Sequence, residues 1–367
     1  MKKIPLILIA SCALTLSSCE DWLDKYPLAQ MSPETFFSNE NELQAFSNKF
    51  YTAFPSDGLY NEYWDNLIHS DLPQEMRGGR TIPASGGGWT WTGLRDINTL
   101  LEYSVNCKDT EVRTRYDALA RFFRAYAYRT LIYLYGDVPW VETIQDQFQL
   151  SFTRTPKNEV LQHIIDDLKF ASENLPENPE SVNPGKLTRW AAYHLLSEMY
   201  LLQKEYVLAE KAALKVIDCG YYSLMKTRFG AKKTEPGDVF SDLFIENNQN
   251  RKSGNTESIW VMQFEYKTIG GGTNSDDWTR RAWNPQYMSI NGFTLADSLG
   301  GRGLAQIYPL KWWIGVKGTN ATTAGEKEGF PGIQEKGIFE DGDIRNSEYN
   351  IKRNWYYNNP LTPNKLG

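Results

Sequence analysis

Between residues 40 and 218, apolar side chains recur three and four positions apart, the period of one face of an α-helix. The longest run is 111–134. Val112, Tyr116, Leu119, Phe123 and Tyr126 share a face there, and Ala127, Leu131 and Leu134 extend it. Arg113, Asp117, Arg121 and Arg124 fall opposite, which predicts a wet face with Asp117 and Arg121 spaced to pair. Ala118, Ala120, Ala125 and Ala127 would let neighbouring helices approach. Gly136 suits a left-handed stop, and Pro139 forbids continuation.

Five further helices follow from the same pattern. Ser32-Pro33 and Asn39-x-x-Glu42 are start signals for the first. Leu43, Phe46, Phe50 and Phe54 form its apolar face, and Pro55 ends it. Leu94, Ile97, Leu101 and Val105 predict a second. Thr155-Pro156 opens another, with Leu161, Ile164, Leu168, Ala171 and Leu175 on one face and Pro176 at its end. Residues 176–187, rich in Pro, Asn and Glu, read as a linker. Thr188 to Asp218 predicts a helical hairpin, with Ala192, Leu195, Met199 and Leu202 facing Tyr206, Ala209, Ala213 and Val216. Small residues at the crossing and a Tyr at the turn resemble a tetratricopeptide unit. Such a pair cannot cover its own apolar face and must stack on neighbours. Three or four degenerate pairs are expected between residues 40 and 220.

After Tyr222 the period fades. Ser258–Phe264 reads as one short strand, and residues 267–335 are rich in Gly, Asn, Thr, Trp and Tyr. The expected fold is therefore mainly α: a tetratricopeptide-like helical-hairpin scaffold with a large irregular, loop-rich region packed on it.

The first residues change the picture again. Lys2 and Lys3 precede an apolar run, Ile4–Leu16, that is too short to span a bilayer. Leu16-Ser17-Ser18-Cys19 then has the form of a lipobox. Residues 1–18 are expected to be removed as a lipoprotein signal peptide, leaving a lipid on Cys19. Each buried CH₂ of such a lipid contributes about 0.8 kcal/mol, so stable anchoring takes more than one chain. The expected organisation is 1–18 signal peptide, 19–31 lipidated lead-in, 32–225 helical region and 226–367 irregular region.

A net charge of −6 argues against a nucleic-acid partner, which wants a basic face. The aromatics are numerous: 12 Trp, 21 Tyr and 17 Phe. Such rings make flat platforms with polar edges that suit sugars, and they equally suit large helical cores. Cys12 lies in the leader and Cys19 at its end, so only Cys107 and Cys219 remain in the body; this is no disulfide framework, and two buried thiols are expected in preference to a single Cys107–Cys219 bridge. His69 stands apart, while His163 and His194 fall inside helical patterns and read as packed, hydrogen-bonded residues.

No hydrolase elbow, zinc-binding pair, phosphate loop or dinucleotide fingerprint is present. A glycosidase needs two carboxylates set across a scissile bond, and nothing marks such a pair. Asp341-Gly342-Asp343 lacks the spaced ligands of a calcium loop and reads as an acidic turn. The chain is expected to be no enzyme and to carry no cofactor or metal.

Two motifs carry a family resemblance. Phe122-x-Arg124-Ala125-x-x-Tyr128 leads into Leu134-Tyr135-Gly136-Asp137-Val138-Pro139. Together they resemble the RagB/SusD family, surface lipoproteins of Bacteroidetes that bind nutrients, mostly glycans, for a TonB-dependent transporter. Leu23-Asp24-x-x-Pro27 and Phe339-x-x-x-Asp343-x-Arg345 resemble early and late segments of the family, and Glu20-Asp21 resembles its surface-export signal. The family continues with an Arg- and Glu-rich helix and an Asp-Leu-x-Arg-Trp motif. Neither follows Arg345, so a truncated member is expected.

The resemblance implies a surface protein, lipid-anchored in the outer membrane, that binds oligosaccharide and works with a SusC-like TonB-dependent transporter. Ligand would meet aromatic rings beside planar donors and carboxylates. Two clusters fit. Asp71, Arg77, Arg80, Trp89 and Trp91 lie in the loop-rich stretch before the second helix, where the family's ligand residues include an aromatic with an upstream Arg and Asp. Trp278, Arg280, Arg281, Trp283, Asn284 and Tyr287 lie in the irregular region. Two other readings are a tetratricopeptide scaffold that binds peptide in an open groove and a surface glycoside hydrolase.

Overall fold

In the computed structural model the described residues are 36–53, 67–69, 91–144, 151–263, 307–309, 342–350, 356–359 and 362–366. Local chemistry sets where the helices start and stop. Asn39 caps α1 (Glu40–Ser47), its side chain accepting the Glu42 N–H. The Glu42 carboxylate turns back one residue further than expected, to the N–H and hydroxyl of Ser38. The Ser38 N–H is the main reason its carboxyl lies below the usual range. A 3₁₀ segment, Asn48–Ala53, prolongs this element.

α2 spans Thr92–Tyr103 and α3 Thr110–Tyr135. Asp109 caps α3 by accepting from the N–H groups of Glu111 and Val112. The helix stops at Gly136, whose φ of +71° is strained for any other residue. α4 (Lys157–Asn174) has no cap from its own Pro156; Asp137 Oδ1, from the end of α3, accepts the Lys157 N–H at 2.8 Å. α5 (Arg189–Gln203) and α6 (Tyr206–Ile217) form the predicted hairpin, turning through Lys204 in a left-handed conformation. α3 packs against α2 and α4, α4 against α5, and α5 against α6, while α1 lies on α2 and α3. Phe122, Ile132, Ile164, Leu168 and Met199 are fully buried between them. Each such side chain contributes about 1.5–3 kcal/mol on burial.

The structure corrects several sequence expectations. The face of α3 opposite the apolar one is only partly wet, with Arg113, Asp117 and Arg121 half-buried. Arg124 is buried and forms a fork with Asp167 of α4 at 2.7 and 2.8 Å. Arg121 lies 3.7 Å from the same carboxylate and over the Phe170 ring, rather than pairing with Asp117. The reason is position: α3 is sandwiched, so a second face must be covered, and arginine tolerates this once paired. Leu134, Val105 and Tyr206 are exposed because each stands at or beyond the end of its packed segment. His194 is exposed on α5, whereas His163 is packed. Cys107 is a buried free thiol and Cys219 a half-buried one.

Residues 176–187 are a docked connector, not a loose linker. Leu187 is buried, its N–H reaches the Tyr51 hydroxyl, and the Gly185 carbonyl accepts from Trp260 Nε1 at 2.8 Å. The expected strand is absent from residues 258–263, which run as irregular chain; Ile259, Trp260 and Met262 nonetheless pack on the helical core. Trp260 sits among the rings of Tyr51, Phe122 and Phe123 at centroid distances of 5.8–6.5 Å.

Residues 219–257 are held mainly by side-chain hydrogen bonds. Asp242 is buried, accepts both arms of Arg228 and caps the Phe229 N–H. Arg228 also donates to the carbonyls of Lys232, Glu235 and Gly237. Asn248 and Asn255, both buried, bridge neighbouring carbonyls and amides. Gly230 is required here: a Cβ would stand 2.0 Å from Asn248 Oδ1. A short helix, α7 (Val239–Asp242), is closed by a capping box on Asp238. Asp238 also holds the late segment, accepting from Ser347 Oγ and Asn350 Nδ2. Two antiparallel pairs complete the described structure: β1 (Leu67–His69) with β2 (Ile307–Pro309), and β3 (Tyr356–Asn359) with β4 (Thr362–Leu366).

Candidate functional site

Of the residues singled out as ligand-binding, Trp91 lies within the described structure. Asp71, Arg77, Arg80, Trp89, Trp278, Arg281, Trp283, Asn284 and Tyr287 lie outside the described residues, as do Arg280 and Cys19, the residue expected to carry a lipid. Trp91 occupies the N-cap position of α2, and its carbonyl accepts the Arg95 N–H at 3.0 Å. Its ring is half-buried, in edge contact with Tyr128 at 6.3 Å. Two residues on, Gly93 is exposed, and a Cβ there would meet nothing within 4 Å among the described residues.

The family-like motif of α3 builds the floor beneath Trp91. Phe122, Arg124, Ala125 and Tyr128 are all buried. The Tyr128 hydroxyl accepts the Val141 N–H at 2.7 Å and donates to the Pro139 carbonyl at 3.2 Å. Burial pushes its pKa up to about 12, so it stays a donor at any ordinary pH. Trp140 packs 4.3 Å from Tyr128 on one side and stacks on His163 at 4.6 Å, nearly parallel. A row of rings thus runs from Trp91 through Tyr128 and Trp140 to His163, crossing α2, α3 and α4. The Gly136–Pro139 exit is fixed at both ends, with Val138 bridged to Thr155 and Asp137 capping α4.

Asn98, Trp140 and Asp167 also support this row but were not singled out in the sequence. Asn98 donates to the Val141 carbonyl at 2.9 Å and lies 3.5 Å from Arg124. A signal for Asp167 existed: a carboxylate among Ile164, Ile165 and Leu168 stands inside an apolar stripe and needs a buried cation. The pairing partner could not be read from spacing alone.

The arrangement offers ring surface and rigid backing. Among the described residues no group of three or more His, Cys, Asp and Glu could hold a metal ion. Asp343 of the late acidic turn is engaged by Arg345 at 2.6 Å, which holds its carboxyl below the usual range. No helix of the described residues is long and apolar enough to cross a membrane.

Comparison with known proteins agrees with this architecture. The sequence model of a SusD-like family, described as "Starch-binding associating with outer membrane", matches residues 89–201, from the tryptophan pair to α5. A SusD-like protein of Formosa agariphila, P2, is 28% identical over 75% of this chain and 56% of its own length. A SusD-like protein of Bacteroides ovatus is 26% identical over 71% of this chain and 50% of its own. The chain thus spans about half the length of the curated relatives it matches. Among solved structures, a SusD-like protein of Bacteroides fragilis superposes with a TM-score of 0.61 at 21% identity, covering 79% of this chain and 55% of that one. A SusD-like carbohydrate-binding protein of the same species gives 0.57 at 18%, covering 77% and 54%. These likenesses establish the helical, tetratricopeptide-like fold. The matched helical block and the SusD-like relatives together support a SusD-like family protein.

Proposed function

We propose that the chain is a non-enzymatic glycan-binding lipoprotein of the cell surface. It captures oligosaccharide and hands it to a SusC-like TonB-dependent transporter in the outer membrane. The observation that carries this reading is Trp91, half-buried at the start of α2 and backed by a row of packed rings. A sugar's C–H face packs on such an indole, and the backing keeps the ring from moving when ligand binds. Trp89, two residues earlier, with Asp71, Arg77 and Arg80, would supply further ring surface and hydrogen-bond partners. Trp278, Arg281, Trp283, Asn284 and Tyr287 form the second proposed contact region. The family's description as starch-binding and associated with the outer membrane supports both cargo and location. A lipid on Cys19 would raise the local concentration of cargo at the transporter, which is a gain without bond chemistry.

Affinity electrophoresis of the intact protein against a polysaccharide panel tests the reading. At least one glycan should retard it, with no product released. Trp91→Ala or Trp89→Ala should then weaken retention about tenfold, the scale of 1.4 kcal/mol for a lost ring contact, with the helical circular dichroism kept. Retention by no glycan, or cleavage at an enzyme's rate, would remove the proposal. Cys19→Ala should move the protein from the membrane to the soluble fraction; continued membrane association would end the anchor assignment.

A further inference from the structure

One cavity of the described structure shares no residue with the Trp91 row. α1, its 3₁₀ extension, α3 and the 176–187 connector enclose a groove of about 460 Å³. Small-molecule sites typically measure about 300–1,000 Å³. The phenol rings of Tyr51 and Tyr116 form part of the wall, and two cations, Arg115 and Lys186, stand in it. The cations differ. Arg115 is neutralised by Glu40 across the groove. Lys186 Nζ donates to the Asn48 amide oxygen at 2.5 Å and lies 4.6 Å over the Tyr51 ring; among the described residues it has no carboxylate partner. It is half-buried, and burial alone lowers its pKa.

An ammonium has three donors. One serves Asn48, so donors remain for a ligand. A cation partly withdrawn from water, whose contacts among the described residues are the Asn48 amide and the Tyr51 ring, gains from an anion. The exposed side-chain amides of Gln44 and Asn183 line the same groove and make no hydrogen bond among the described residues. They offer donor and acceptor pairs of the kind that sugar hydroxyls use.

We infer that this groove is a separate subsite for an acidic saccharide. The carboxylate of a uronic acid residue pairs with Lys186, Gln44 and Asn183 take its hydroxyls, and the phenol rings pack against its C–H face. The sugar part of the assignment rests on the glycan reading above; the carboxylate part rests on Lys186.

Calorimetry on the intact protein with tri-galacturonate, maltotriose and tri-glutamate separates the two. Tri-galacturonate should bind, and more weakly at high salt, because the contact is ionic. Lys186→Gln should weaken it about tenfold or more, and Lys186→Arg should largely retain it. Gln44→Ala, at an exposed position that does not endanger folding, should weaken it several-fold. Absence of tri-galacturonate binding overturns the inference, as does binding indifferent to both Lys186→Gln and Gln44→Ala. Tri-glutamate bound as tightly, with the same dependence on Lys186, overturns the sugar assignment. Maltotriose or another neutral glycan bound through Trp91 with no response to tri-galacturonate sinks this inference alone. No response to any saccharide sinks the wider reading too.

Discussion

The helical array from α2 to α6 and the turn-rich stretch from 219 to 257 are held together by different means. In the array, apolar faces interlock and a single buried ion pair, Arg124–Asp167, ties α3 to α4. In the later stretch, the guanidiniums of Arg228 and Arg251 and a few buried Asp and Asn side chains replace both core and ladder. The first arrangement spreads its stability over many contacts, each small. The second concentrates it in few groups, each of which leaves several partners unsatisfied if lost.

The comparison can be broken most strongly at Arg124. Arg124→Ala leaves Asp167 buried without its main partner, and a loss of about 3–5 kcal/mol is expected in chemical denaturation. The double variant Arg124→Met with Asp167→Leu should recover most of it, because apolar packing suits this layer. A double variant as unstable as the single would mean that the pair, not the packing, organises the array. Next comes Asp242→Ala, which strands the Phe229 N–H and frees Arg228. A local loss of about 1–3 kcal/mol is expected, read as faster proteolysis within 228–255 while the helical signal persists. Simultaneous loss of the helices would show the two regions to be one cooperative unit.

Two carboxylates sharpen the contrast with smaller effects of opposite sign. Burial raises the Asp117 carboxyl above its ordinary 3.8, against the Ser104 hydroxyl and two arginines. Its ionised form therefore costs stability at neutral pH, a cost that disappears as pH falls through the raised value. For Asp238 burial also works upward, but hydrogen bonds from Ser347, Ser241 and Asn350 prevail and leave it depressed. Its contribution is full above 3.8 and fades as pH falls through the lowered folded value. Asp117→Asn should thus stabilise at pH 7 and Asp238→Asn destabilise, each on the order of 0.5 kcal/mol by thermal melting. The same sign for both would contradict the account of either site.

Legibility followed the same division. The apolar stripe of α4 and the hairpin of α5 and α6 were readable because each apolar position meets one neighbouring helix, and the 3.6-residue period records that directly. Arg124 was misread because a charge on a helix looks solvated until its partner, 43 residues later, is known. Trp91 could be nominated from its place before α2, but its half-burial on Tyr128 could not. The groove at Lys186 was invisible, since its walls come from α1, α3 and a segment that composition marks only as a linker.

By itself the sequence determined that stacked helices would form, where α3 and α4 begin and end, and that a ring-rich stretch would precede α2. Periodicity and capping are local, and local order in the chain encodes them. Only the tertiary structure decided which charges are buried, that the 176–187 segment is a wall rather than a tether, and that Asp238 grips a segment more than a hundred residues away. Those outcomes depend on which surfaces meet, and a buried polar group finds its partner through space, with no period along the chain to announce it.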